Sequence, residues 1–151
     1  SSKAEKLIRD YTKKLETLRK KKTEVIKVYI EEWDEPLISG ILWFSELVQI
    51  AGGVDVFADK SKNIDAKSRI LNSEEVIGVN PDVIIASWCG KKVRKEKIAA
   101  RSNWKAITAV KNYLIFEIKS PLILQPGPAA LGLGLDQICC ILDNARDKLR
   151  G

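Results

Sequence analysis

The sequence predicts an α/β domain: a three-layer arrangement with a parallel sheet flanked by helices, preceded by a long N-terminal helix. Three observations carry this. Strand-like and helix-like stretches alternate in the order α-β-α-α-β-α-β-α, as expected when crossover helices join parallel strands. Val83-Ile-Ile-Ala-Ser87 is a continuous apolar run, the pattern of a strand covered on both faces. The chain has 151 residues, 45% of them hydrophobic, which suits one domain with a real core.

The elements follow in order. Ala4 to Lys22 lacks Gly and Pro, and Leu7, Ile8, Tyr11, Leu15 and Leu18 form one narrow apolar stripe. Such a helix leans on a neighbour along one edge only. Glu24 to Ile30 alternates and is β-branched, hence a strand. Glu31-Glu-Trp-Asp-Glu-Pro36 reads as a polar loop. Ile41 to Ala51 is an amphipathic helix stopped by Gly52-Gly53. Asp59 to Asn72 reads as irregular. Asn72-Ser-Glu-Glu75 has the form of a capping box that starts a short helix over Glu74 to Val79. Asn80-Pro81-Asp82 turns the chain into the buried strand at Val83. Lys92 to Ala100 is a helix, Trp104 to Val110 a short turn or helix, and Tyr113 to Ile118 a third strand. Pro121 to Pro128 is a loop, and Ala130 to Leu149 closes the domain as a helix.

Composition narrows the function classes. The formal charge is +6, but nine basic residues against four acidic ones before residue 26 carry +5 of it. A basic face on one helix is a solvated surface, and no nucleic-acid partner is expected. There is no His and no CxxC among the three cysteines, so a metal site lacks its usual ligands. Cys139 and Cys140 sit in an apolar helix and read as inert thiols. Glu31, Glu32, Asp34 and Glu35 offer carboxylates, yet no nucleophile–base pair or phosphate loop accompanies them, so no enzyme is expected. No apolar run is long enough to span a membrane. The start, Ser1-Ser2-Lys3-Ala4, has no apolar signal core, and the chain reads as processed or cut from something longer.

In parallel sheets ligands sit beyond the carboxyl ends of the strands. Three segments leave those ends: Glu31–Leu37, Trp88–Lys92 and Ser120–Pro128. Trp33, with Glu35 beside it, and Trp88 are the flat aromatic groups there, suited to lie against a planar ligand. Trp43 and Trp104 fall in helical segments and are expected in the core.

Four motifs then occur in one order. Trp43-Phe-Ser-Glu-Leu-Val-Gln-Ile-Ala-Gly-Gly53, Asn72-Ser-Glu-Glu-Val-Ile-Gly-Val-Asn-Pro-Asp-Val-Ile-Ile85, Trp104-Lys-Ala-Ile-Thr-Ala-Val-Lys-Asn112 with Ile115-Phe-Glu-Ile118, and Pro126-Gly-Pro128 before a Gly-rich helix start resemble the periplasmic (class III) solute-binding proteins of ABC transporters that bind cobalamin and ferric siderophores. Ser87-Trp-Cys-Gly90 leans toward the cobalamin branch. The resemblance implies two α/β lobes joined by a rigid helix, with ligand held between them. It makes residues 1–23 the end of the inter-lobe linker helix and residues 24–151 the C-terminal lobe.

The same resemblance implies that Gln125, Ser68 and Arg69 contact ligand together with Trp33, Trp88 and Glu35. Gln125 replaces the Arg of the family's form, which favours an amide-bearing ligand over an anionic one. It implies that Glu74 docks on the ABC transporter permease, while Glu75 caps its helix. The implied cargo is cobalamin or a related corrinoid, with a ferric siderophore or haem as the alternative within the family. No cofactor is implied. A stand-alone interaction or sensor domain is the reading from another class. The implied setting is periplasmic or extracytoplasmic and membrane-anchored. A lobe without its partner exposes its cleft face, so a crystal dimer through that face is expected.

Overall fold

The first strand does not stop where its apolar alternation stops. In the computed structural model, which describes residues 2–21 and 25–150, β1 runs from Ile26 to Asp34. The stretch expected as a polar loop is thus strand. A turn at Glu35-Pro36 leads into β2 (Leu37–Ser39), which pairs back antiparallel, Trp33 opposite Ile38 and Asp34 opposite Leu37. The physical reason lies in the carboxylates of Glu31 and Glu32: each finds donors inside the fold, so polar side chains do not force the backbone outward.

The other elements are α1 (Ser2–Lys21), α2 (Leu42–Ile50), β3 (Gly53–Asp55), α3 (Ala58–Ser61), β4 (Ile70–Leu71), α4 (Ser73–Val79), β5 (Val83–Ala86), α5 (Lys95–Ala99), α6 (Thr108–Lys111), β6 (Ile115–Glu117), α7 (Ser120–Ile123) and α8 (Leu135–Arg150). Short 3-10 turns cover Ala66–Arg69 and Trp104–Ala106, and a π-helical turn covers Ala130–Gly134. The region expected as irregular therefore holds α3, a turn and β4, and the loop from Pro121 begins inside α7. The expected ends at Lys22, residue 23 and Glu24 lie outside the described residues, as do the side chains of Leu15 and Leu18.

Among the described residues six strands form one sheet, in the order β4-β2-β1-β5-β6, with β3 beside the start of β1. The strands β1, β3, β5 and β6 are parallel, while β2 is antiparallel to both β1 and β4. The sheet is mixed, not purely parallel, and the hairpin is what mixes it.

Helices cover both faces, as the apolar run of β5 requires. Val28, Ile30, Val83 and Ile85 point to one face and pack with Phe44, Val48, Ile138 and Leu142 from α2 and α8. Tyr29, Ile84 and Ala86 point to the other, against Val76, Ile98, Trp104 and Ile107. Each Val, Leu, Ile or Phe among them contributes about 1.5–3 kcal/mol on burial. Trp104 is fully buried, as expected, and Trp43 donates its indole N–H to the Ile123 carbonyl at 2.8 Å. Gly40 packs so closely on β1 that an added Cβ would lie 2.8 Å from the Ile30 side chain.

The helix α1 exposes Leu7 and Ile8. Its Tyr11 hydroxyl reaches the π turn, where a Cβ on Gly132 would lie 2.8 Å away. No helix among the described residues is long and apolar enough to cross a membrane.

Candidate functional site

The carboxyl ends of β1, β5 and β6 bring their three following segments to one edge of the sheet, and side chains join them. Lys91 reaches from the second segment to the first, its ammonium 2.9 and 3.1 Å from the two Asp34 oxygens. That ammonium also lies 4.4 Å from the centre of the Trp33 ring and 5.0 Å from that of Trp88, within cation–π range of both. Burial pulls the Asp34 carboxyl upward, but the Lys91 ammonium wins and holds it below the usual carboxylate range. The Val93 N–H, just past the second segment, donates to Glu117 at the end of β6 at 2.8 Å, and Lys119 adds a contact to Glu117 at 3.1 Å. Against burial, these donors hold the Glu117 carboxyl low as well.

Beneath this rim lies a buried ionic node. Glu31 is fully buried within β1, opposite the last residue of β5. It accepts from the Tyr29 hydroxyl and the Trp88 indole N–H, each at 2.9 Å, and from both terminal nitrogens of Arg101 at 2.6 and 3.0 Å. A bidentate Arg pair with two further donors satisfies a buried carboxylate fully. Arg101 also stacks on Trp104 at 4.5 Å. Burial, aided by Glu31, raises the Tyr29 phenol well above its ordinary value. Glu31 likewise raises Arg101, although burial opposes this.

A second node holds the hairpin. Glu32 pairs with Arg69 at 3.1 Å and accepts from the Ile41 N–H. The Arg69 guanidinium also donates to the Ser39 carbonyl at 2.7 Å. Burial raises the Glu32 carboxyl even though Arg69 pulls it down.

The residues expected to meet ligand separate accordingly. Trp33 is half-buried on the hairpin, its indole N–H on the Glu35 carbonyl at 3.1 Å, and Glu35 is exposed beside it. Gln125 is exposed on the third segment, and Ser68 is exposed on the turn before β4. Two of these residues are buried. Trp88 is only 3% exposed, because Glu31 captures its N–H and Lys91 covers its ring. Arg69 is also 3% exposed, because its guanidinium is spent on Glu32 and Ser39. Neither offers a free face; both hold rim backbone in place.

Glu74 is exposed in the first turn of α4. Below it the capping box forms as read: the Asn72 side chain accepts from the Glu75 N–H at 2.9 Å, and Glu75 accepts from the Asn72 N–H at 3.1 Å. Among the described residues no group of three or more metal-ligating side chains comes together.

Sequence reasoning missed Lys91, Glu31 and Arg101. Lys91 carried a weak signal, a cation just after Gly90, whose φ of 74° is one that glycine adopts freely. Glu31 stands in the sequence only as one of four neighbouring carboxylates, and its pairing with Arg101 carries no signal, since 70 residues separate them.

Known proteins bear on this geometry. A family model described as periplasmic binding protein matches residues 1–122. No curated protein sequence matches the chain. Among solved structures, the periplasmic vitamin B12 binding protein of Vibrio cholerae is 24% identical, covers 96% of this chain and 54% of its own length, and has a TM-score of 0.71. An ABC transporter substrate-binding protein from Listeria monocytogenes is 21% identical, with coverages of 93% and 57% and a TM-score of 0.74. A protein of an ABC-type Fe3+-hydroxamate transport system from Saccharomonospora viridis is 18% identical, with coverages of 93% and 49% and a TM-score of 0.73. At these identities the likeness is one of fold, and the chain spans about half the length of the structures it matches. With the family match running over most of the chain and the strand ends joined into one rim, the chain belongs to the periplasmic binding protein family, whose members are solute-binding proteins and not enzymes, their ligands being cargo and not cofactors.

Proposed function

We propose that this chain is the C-terminal lobe of an ABC-importer solute-binding protein that captures cobalamin or a related corrinoid between two lobes. In this reading α1 is the end of the inter-lobe helix, residues 1–23, and residues 24–151 are the lobe. The carrying observation is the charge balance of the rim. Asp34 neutralises Lys91 and Lys119 faces Glu117, while Trp33 and the uncharged Gln125 remain accessible. Such a surface offers aromatic contact and amide hydrogen bonds more than net charge. It suits a bulky, amide-decorated, nearly neutral ligand better than a ferric siderophore or haem with free carboxylates.

The ligand-facing side chains are Trp33, Glu35, Gln125 and Ser68, with Trp88 and Arg69 supporting them from beneath. Glu74 stands clear of its capping neighbours and docks on the permease through a cationic partner. The working place is periplasmic, or membrane-anchored outside the cytoplasm.

Calorimetry on the intact two-lobed protein tests this, with cyanocobalamin and a ferric hydroxamate in parallel. Saturable cobalamin binding, weakened about tenfold by Trp33→Ala, is the expected result. Binding of the hydroxamate alone would overturn the corrinoid assignment. Glu74→Arg is expected to leave that affinity unchanged and to abolish transport through the permease.

A further inference from the structure

The sheet ends on one side at β6, whose outer edge no other strand among the described residues covers. The Ile84 N–H donates to the Leu114 carbonyl at 3.0 Å, and the Ile118 N–H to the Ala86 carbonyl at 3.1 Å. Residues 114 and 118 thus aim at β5. By the alternation of a strand, Ile115 and Glu117 aim their N–H and carbonyl groups at the open edge. Among the described residues no backbone partner from outside the ladder meets them.

Each face of this edge carries its own groove. On the Ile115 face a groove of about 510 Å³ is lined by Val110, Tyr113 and Ile115, by Lys95, Lys105 and Lys111, and by Glu96, whose carboxylate is already paired with Arg94 at 3.0 Å. Among the described residues none of these three ammoniums forms an ion pair with a carboxylate. Tyr113 stands 83% exposed at the start of the strand. On the Phe116 face a groove of about 370 Å³ is lined by Phe116, Leu133, Cys140 and Ile141 together with the polar Glu117, Asp136, Gln137 and Asn144.

We propose that β6 is a docking site for an extended peptide that adds to the sheet as a further strand, with acidic side chains toward the three lysines and apolar ones toward Phe116. Successive side chains of an added strand point to opposite faces, so one peptide fills both grooves while its backbone pairs with Ile115 and Glu117. Charge decides the occupant. A second copy pairing edge to edge about a twofold normal to the sheet would set the two lysine faces side by side, and like charges on neighbouring strands repel. An acidic, alternating peptide meets no such penalty. This site adjoins the rim at Glu117 but does not rest on the solute-binding reading.

The test uses the present chain and a fluorescein-labelled peptide, Thr-Glu-Val-Glu-Val-Glu-Thr, followed by anisotropy. Saturable binding with Kd below about 1 mM is expected. It should be about tenfold tighter than for the peptide with Lys in place of Glu, and lost when the edge-facing amides are N-methylated. Lys111→Glu should weaken it, and amide NMR shifts should centre on Ile115 and Glu117. No binding at about 1 mM would overturn the proposal and leave the lysines as guards against edge pairing. Equal binding of the lysine or N-methylated peptide would overturn it too.

Discussion

At the scale of single residues, Glu31 and Lys91 divide the work of the rim. Glu31 has no water contact, so its charge depends on Arg101. Removing one partner of a buried pair strands the other, at a cost of about 3–5 kcal/mol. Arg101→Met is therefore expected to lower the unfolding free energy by about 3 kcal/mol in urea denaturation. Adding Glu31→Gln should recover part of that loss, because no charge then remains unpaired. If the double variant is no more stable than the single one, the pair does not act as a unit. Lys91 differs in kind: its side chain is 44% exposed, so it contributes little stability and serves to position Trp33. None of these three residues stood out in the sequence, because a contact between distant positions leaves no local periodicity.

At the scale of elements, legibility followed local chemistry. The capping box at Asn72–Glu75 was readable because all its donors and acceptors lie within four residues. Asn72→Ala should cost about 1 kcal/mol, and Asn72→Ser much less. Thermal melts of the two variants check this, and equal melting points would show that the cap does not limit stability. The hairpin was not readable. Glu31-Glu-Trp-Asp has the composition of a loop, and it is a strand only because Arg101 and Arg69 receive its carboxylates. The three-residue β2 and β3 and the two-residue β4 are too short to show a period. They exist through pairing with β1 or with each other.

At the scale of the whole molecule, buried carboxyls set the pH response. Burial is the leading cause that raises both Glu32 and Asp55. The folded chain therefore keeps protons that the unfolded chain releases, and stability falls as pH rises from the ordinary carboxylate range through the raised values. Asp34 and Glu117 are held low, so their stabilisation is present above that range and is lost as pH falls through the lowered values. Asp55→Asn preserves an acceptor for the Phe57 N–H and removes one raised group. Its melting temperature should fall less than the parent's between about pH 4 and 8, with the acid limb unchanged. Parallel curves for the two proteins would assign the effect elsewhere.

The sequence by itself determined the α/β class, the two-faced burial of β5, the capped α4 and the family, because apolar periodicity, capping chemistry and ordered motifs are all local in the chain. Tertiary structure alone decided that the sheet is mixed and that Trp88 and Arg69 are buried. It also decided that Lys91 joins the strand ends. Those outcomes depend on which distant charges meet. A carboxylate or guanidinium takes the partner that the fold brings within about 3 Å, and that distance is written nowhere in the order of residues.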